Sequence, residues 1–281
     1  MDNLYVIDLF CGCGGFSEGA RQAGANVILA VDNWKEALDV HQINHPHTTH
    51  WNIDLGGDIK YFSEKVNNFI MENTPANSKI HLHMSPPCQQ FSSINHKRNI
   101  FTGMKLVEWC LELKDLVKVN TWTIEQVVNP VLIQKFSNIQ CKVVKFKDYG
   151  IPSTRKRLIV GNLNWEKIYL YKKESVENLS SIIKKFQFET DGFNKQTSGT
   201  FRNGLYTYKN IDSISYTVTS NFPKLFKSCE NKSKTLPINI LAYIQTFPLN
   251  YIFDKKLGIS RKMIGNSVPP EMSRILINSI I

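Results

Sequence analysis

The hydrophobic positions of this chain fall into short, nearly continuous apolar runs, separated by polar turns and by longer stretches with helical spacing. Leu4 to Phe10, Val27 to Val31, Ile80 to Met84, Thr121 to Ile124, Cys141 to Phe146 and Leu158 to Gly161 have the length and β-former content of strands. Trp51 to Leu55 reads as one more short strand. Helical stretches run through Ala23, from Trp34 to the break at Asn44-His45-Pro46, and over residues 60–73, where Phe62, Val66, Phe69 and Ile70 keep the spacing. Leu106 to Val119 reads as another amphipathic helix. Strands alternating with helices predict an α/β fold with Leu4–Phe10 as its first, central strand.

The alternation stops near Asn162. From there to Asp212 the chain is polar, with Tyr169, Tyr171, Phe186, Phe188, Phe193, Phe201, Tyr206 and Tyr208 interleaved with Lys172, Lys173, Lys184, Lys185, Lys195 and Arg202. This pattern predicts a second, smaller domain whose basic and aromatic residues suit nucleic acid, the aromatics also supplying its core. Residues 238–247 and 269–281 read as helical, flanking Gly265-Asn266-Ser267-Val268-Pro269-Pro270. The expected organisation is 1–161, then 162–235, then 236–281 returning to the first domain. No internal repeat is present.

Open α/β sheets hold ligands at the carboxyl ends of their strands, so residues just past the apolar runs are the candidates for chemistry. After Ile80–Met84 come Pro86 and Pro87, which stop the strand because neither can donate to a ladder, and then Cys88. A thiol held after so rigid a stop is either a nucleophile or a buried structural cysteine. Thr121–Ile124 delivers Glu125 to the same edge, where burying an acid without a partner is costly. Leu4–Phe10 runs into Cys11-Gly12-Cys13-Gly14-Gly15, a glycine turn before a helix that lets backbone approach a nucleotide-like cofactor. Ser17 stands where a dinucleotide fingerprint needs glycine, and Asp32 closes the next strand at the interval where an acid meets ribose hydroxyls. Arg155 and Arg157, two apart, point to one face of a strand and suit phosphate or carbonyl recognition.

Charge and cysteine usage narrow the setting. The 281 residues carry 34 Lys plus Arg against 24 Asp plus Glu, a net charge of +10 that suits a polyanionic partner. The six cysteines have no framework spacing, and the opening residues lack the charged and apolar regions of a signal peptide. No run approaches the ~20 apolar residues of a membrane span, so a cytoplasmic protein with free thiols is expected. Cys11-x-Cys13 lacks a second Cys/His pair at zinc-finger spacing, and the histidines at 41, 45, 47 and 50 fit a loop after a helix equally well. No metal is expected.

Read together and in order, these segments resemble the DNA (cytosine-5)-methyltransferases over almost the whole length. Asp8-Leu9-Phe10-Cys11-Gly12-Cys13-Gly14-Gly15 resembles the first cofactor motif, and Pro86-Pro87-Cys88-Gln89 the nucleophile motif. Glu125-Gln126-Val127 is similar to the family's Glu-Asn-Val, Arg155-Lys156-Arg157 to its paired-arginine motif, and residues 265–270 to its closing motif. Gln126 replaces the usual Asn, Ser153 stands where a Gln usually precedes the arginines, and Leu236 to Phe247 lacks the usual Arg-Glu-Cys-like pattern.

The resemblance implies a Rossmann-like S-adenosylmethionine-dependent methyltransferase sheet with a second, smaller target-recognition domain in residues 162–235. It implies methyl transfer to C5 of a flipped cytosine, through a covalent Cys88 adduct at C6, leaving S-adenosylhomocysteine. Glu125 in protonated form would meet N3, and Arg157 or Arg155 would hold the O2 carbonyl or a neighbouring phosphate. Cofactor contacts would be Phe10 and Gly12 with Gly14 at the turn, Asp32 on the ribose, Asp54 (with Asp58 as runner-up) near the adenine, and Asn266 and Ser267 at the methionine end. The basic Gln89–Arg98 loop would close over the flipped strand. Double-stranded DNA is the expected partner and a monomer the expected state; whether a cognate restriction endonuclease accompanies it is open. An RNA cytosine methyltransferase, a silent DNA-binding regulator and a nicotinamide dehydrogenase are the rival readings. Ser92, intact Cys88 and Glu125, and Ser17 respectively weigh against them.

Overall fold

The computed structural model describes residues 4–91, 99–202 and 205–281, and the side chains of all of these except 199–202, 205 and 206. In chain order the first part contains β1 (Leu4–Leu9), α1 (Gly15–Gln22), β2 (Asn26–Asp32), α2 (Lys35–Asn44), β3 (Thr49–Asn52), α3 (Ile59–Asn73) and β4 (Lys79–Met84). It continues with α4 (Ile100–Leu116), β5 (Thr121–Val127), α5 (Pro130–Lys135), β6 (Cys141–Lys145) and β7 (Lys156–Gly161). The described residues place these strands in one seven-stranded sheet of order β3-β2-β1-β4-β5-β7-β6. Only β7 runs against the rest, antiparallel to both β5 and β6, and β1 sits in the centre as its apolar run requires. This is the α/β fold of the sequence expectation.

A central parallel strand is covered on both faces, and β1 shows how. Ile7 and Leu9 enter a core with α3 and α4, whereas Leu4 and Val6 enter another with Phe16 of α1 and residues 272–277. Capping fixes where several helices begin. Asp58 accepts from the backbone N–H of Lys60 and Tyr61 at the start of α3, and Asn129 accepts from Val131 with Pro130 at the first position of α5.

Some boundaries differ from expectation. The third strand is Thr49–Asn52 rather than Trp51–Leu55, which leaves Asp54 beyond its end, and α4 starts at Ile100, six residues before the expected Leu106. Arg155 precedes β7, so only Arg157 lies in the strand.

The remainder holds α6 (Trp165–Tyr169), α7 (Leu179–Lys185), β8 (Lys195–Arg202), β9 (Leu205–Asn210), β10 (Lys224–Lys227) and β11 (Lys232–Thr235). These four strands form an antiparallel sheet of order β11-β10-β8-β9. Then come α8 (Ile238–Ile244), α9 (Leu257–Asn266) and α10 (Pro270–Asn278). Helix α10 returns to pack on α1, and it does so closely: a Cβ at Gly19 would stand 2.1 Å from Pro270 O. Only a residue without a side chain allows that approach. None of the described helices is long and apolar enough to cross a membrane.

Candidate active site

At the carboxyl ends of β1, β2, β4 and β5 the structure has a cavity of about 1200 Å³. Its wall includes Phe10, Gly12, Asp32, Trp34, Pro86, Pro87, Cys88, Glu125, Arg155, Arg157, Asn266 and Ser267; the small sheet adds Ser198 and Thr207, and the segment after β9 adds Tyr216. The sequence places these residues far apart; sheet order brings them together, because β1, β4 and β5 are adjacent and all point their ends the same way.

The turn that carries Cys88 is held at both ends. Ser85 donates from its backbone to Leu9 O and from its hydroxyl to Phe10 O, fixing the start of the turn to the end of β1. Gln126 Nε2 donates to Pro86 O at 2.6 Å, and Asn129 Nδ2 donates to Phe91 O at 3.0 Å. The longer amide at 126, where Asn is usual, thus reaches the turn that carries Cys88. Residues 92–98, most of the expected basic closing loop, lie outside the described residues.

Cys88 is half-buried. Burial pushes its thiol above the usual value, Arg157 pulls it back, Glu125 adds to the rise and Arg155 opposes it. The four groups therefore share one electrostatic environment. Arg157 Nε lies 2.9 Å from Glu125 Oε1, yet that oxygen accepts no aligned hydrogen bond and is left with capacity for a ligand. Strand β7 running backwards beside β5 makes this pair, since Val127 faces Arg157 and Glu125 faces Ile159 in the ladder.

Arg155 departs from expectation. Its guanidinium is buried and donates to Gly265 O at 2.9 Å and Ser267 O at 3.0 Å, so it grips the C-terminal loop rather than offering both ends to a base or phosphate. Gln245, wholly buried, donates to Ile264 O and to the same Ser267 carbonyl. Burial and the neighbouring Arg157 both pull Arg155 below the usual guanidinium value.

At the β1 and β2 end of the cavity, Gly12 has φ +53° and no atom within 4 Å of where a side chain would begin, so its backbone faces open cavity. Its N–H donates to Asp32 Oδ2 at 2.8 Å while Trp34 N–H donates to Oδ1, which aims the carboxylate. Phe10 holds φ +59°, a strained backbone that recurs at ligand sites. Ser267 Oγ lies 3.3 Å from Cys13 Sγ and donates to Met263 O.

Two expected contacts are corrected. Gly14 is turned away from the cavity: its missing side chain faces Tyr251, His41 and His45, and its role is the left-handed start of α1. Asp54 is exposed, outside the cavity wall and bonded to Asn33, because β3 ends before it. The runner-up Asp58 spends its carboxylate on the α3 cap. Trp34 was not singled out by the sequence reasoning, although an aromatic two residues after a strand-end acid sits at the ligand edge. His41, His45 and His50 contact Ser17, Tyr251 and one another, and among the described residues no group of three metal-ligating side chains is placed to hold an ion.

Comparison with known proteins agrees with this geometry. The C-5 cytosine-specific DNA methylase family model matches residues 4–106 and 164–281. The type II methyltransferase M.HindV of Haemophilus influenzae is 26% identical over 99% of this chain and 96% of its own length. The type II methyltransferase M.HgiDI of Herpetosiphon aurantiacus is 24% identical over 99% and 94%. The solved structure of the S. pombe Dnmt2 methyltransferase aligns with TM-score 0.69 over 98% of both chains at 16% identity, a likeness of fold. The chain belongs to the C-5 cytosine-specific DNA methylase family and is a DNA (cytosine-5)-methyltransferase. Its family implies S-adenosylmethionine as methyl donor. Glu125, Arg155 and Arg157 fall in the unmatched stretch 107–163, so their place beside Cys88 rests on the geometry.

Proposed function

We propose that this enzyme methylates a cytosine flipped out of duplex DNA by covalent catalysis through Cys88. The observation that carries this reading is the convergence of Cys88, Glu125 and Arg157 on one cavity that continues to Gly12 and Asp32. Cytosine C5 is a poor nucleophile. Attack of the Cys88 sulfur on C6 forms a C–S bond and moves the ring electrons to C5, which becomes enamine-like. Glu125 meets the charge at N3 as a proton donor, and Arg157 holds the O2 carbonyl while fixing Glu125. After C5 is alkylated, loss of its proton to a base expels Cys88 and restores the ring.

The residues fit the methyl donor: an open-faced glycine, an oriented carboxylate and an aromatic wall at Trp34 form one end of the cavity. When bound, S-adenosylmethionine supplies the methyl group from a sulfonium. Asp32 would take its ribose hydroxyls, Phe10 and Gly12 would line its path, and Asn266 and Ser267 would reach its methionine end. Arg155 works at one remove, holding the loop that presents Asn266 and Ser267.

Residues 162–235 are read as the target-recognition region, with 1–161 and 236–281 forming the catalytic unit. The target is read as a specific DNA sequence, in keeping with the likeness to type II methyltransferases. Cys88→Ser tests the chemistry: transfer of labelled methyl groups to duplex DNA is expected to vanish, and retained turnover would overturn the covalent route. Transfer RNA serves as the comparison substrate, and bisulfite sequencing of DNA from expressing cells reports the site.

A further inference from the structure

Lys209 differs from the acid-paired lysines of the small sheet and, like Lys224 over Phe222, lies over an aromatic ring. Lys227 and Lys232 pair with Glu230, and Lys234 pairs with Asp191. Lys209 is half-buried, and among the described residues its ammonium meets only the ring of Tyr216, 4.4 Å from the centroid. Its described neighbours offer no anion. In the ladder it faces Gln196, a buried amide whose oxygen accepts from Tyr216 N–H and whose nitrogen donates to Asn210, Ser213 and Ile214 carbonyls. Strand alternation puts Lys209 on the same face as Thr207, and Thr207 and Tyr216 both line the cavity that holds Cys88.

We propose that Lys209 is a DNA-backbone contact, its ammonium held over Tyr216 on the cavity wall to receive a phosphate of the duplex that delivers the target base. The inference rests on DNA as the substrate. Half-burying a cation without a counter-ion costs free energy, and that cost shows as a lysine pulled down to about 8 by burial. A phosphate removes the cost, and the ring holds a flexible side chain where the phosphate arrives. A compact ammonium suits one phosphate oxygen as a point charge and reads no base edge, so its contribution is independent of sequence.

The test is the salt dependence of binding to mixed-sequence duplexes by the full chain. For Lys209→Gln, the slope of log affinity against log salt is expected to flatten by about 0.9, the value of one phosphate contact, with weaker binding to every duplex. Lys209→Arg is expected to keep the wild-type slope. An unchanged slope in Lys209→Gln would overturn the proposal, as would a loss confined to particular sequences. Should Lys209→Gln fail to fold, reductive methylation of the wild-type protein decides instead: duplex DNA is expected to protect Lys209, and equal labelling with and without DNA refutes the contact. Binding of duplex by the wild-type chain tests the substrate itself; only the difference at Lys209 tests the lysine.

Discussion

Arg157 Nε stands 2.9 Å from Glu125 Oε1, yet Glu125 Oε1 accepts no aligned hydrogen bond. The pair is close enough to fix both side chains and loose enough to re-form around a third group. A cytosine ring between them would meet the carboxyl at N3 and the guanidinium at O2. Arg157→Ala is therefore expected to lower methyl transfer about 10²–10³-fold, the size seen when one donor to a developing charge is lost. S-adenosylmethionine affinity should stay near wild type. Single-turnover rates with calorimetry of cofactor binding separate the two, and a variant that loses affinity instead of rate would contradict the assignment.

Cys88 reactivity should report its surroundings directly. Burial holds the thiol up and Arg157 is the largest influence pulling it down. Alkylation by iodoacetamide is expected to rise with pH at values above those of an ordinary thiol, because less thiolate is present at any given pH. In Arg157→Ala the profile should move higher still. A profile unmoved by that substitution would show that the arginine does not act on the sulfur.

Arg155 should behave differently from Arg157 despite lying two residues away. Replacing it by alanine strips Gly265 O of its side-chain donor and leaves Ser267 O with Gln245 alone. The expected cost is about 1–3 kcal/mol of stability for an unsatisfied buried carbonyl, accompanied by weaker cofactor binding. Urea unfolding and calorimetry measure both. Unaltered stability together with a purely catalytic defect would move Arg155 back to the substrate.

Asp8 gives a pH dependence of known sign. Its carboxyl is wholly buried with Oδ1 unpartnered; burial first, and the charge of Asp32 to a lesser degree, raise it from 3.8 to about 7. The folded protein thus holds this proton more tightly than the unfolded chain. The contribution of Asp8 is fully present below about pH 4 and is lost as pH rises to about 7, on the order of 4 kcal/mol. Buried His81, lowered from 6.5 to about 3, works the other way: its contribution is present above 6.5 and lost as pH falls through about 3. Asp8→Asn, which is always uncharged, should gain on the wild type between about pH 5 and about pH 8. Urea midpoints at the two ends read this, and a constant gap would refute the buried-acid account.

The central fold was legible because hydrophobic runs buried on both faces leave a strong signal, and the cavity because glycines, prolines and acids fall at strand ends. Cys88, Glu125, Asp32 and Gly12 all line it. What stayed hidden depends on partners distant in sequence. Arg155 and Arg157 look alike in sequence, but one meets carbonyls 110 and 112 residues away and the other an acid on the adjacent strand. Asp54 failed for a local reason: its strand ends at Asn52, and nothing in the apolar pattern distinguishes Asn52 from Leu55 as the stop. Gln126 read as a departure from the family, and only its length, seen reaching Pro86 O, explains how it can serve.

The glycine turn after β1 is closed by residues 265–268. A side chain at Gly15 would collide with Val268 O at 2.3 Å, and Arg155 has no carbonyls to grip until Gly265 and Ser267 exist. Translation makes the thiol, the acid and both arginines long before these residues. A nascent chain therefore carries Cys88 beside an unfinished cavity until Gly265 to Val268 have been made.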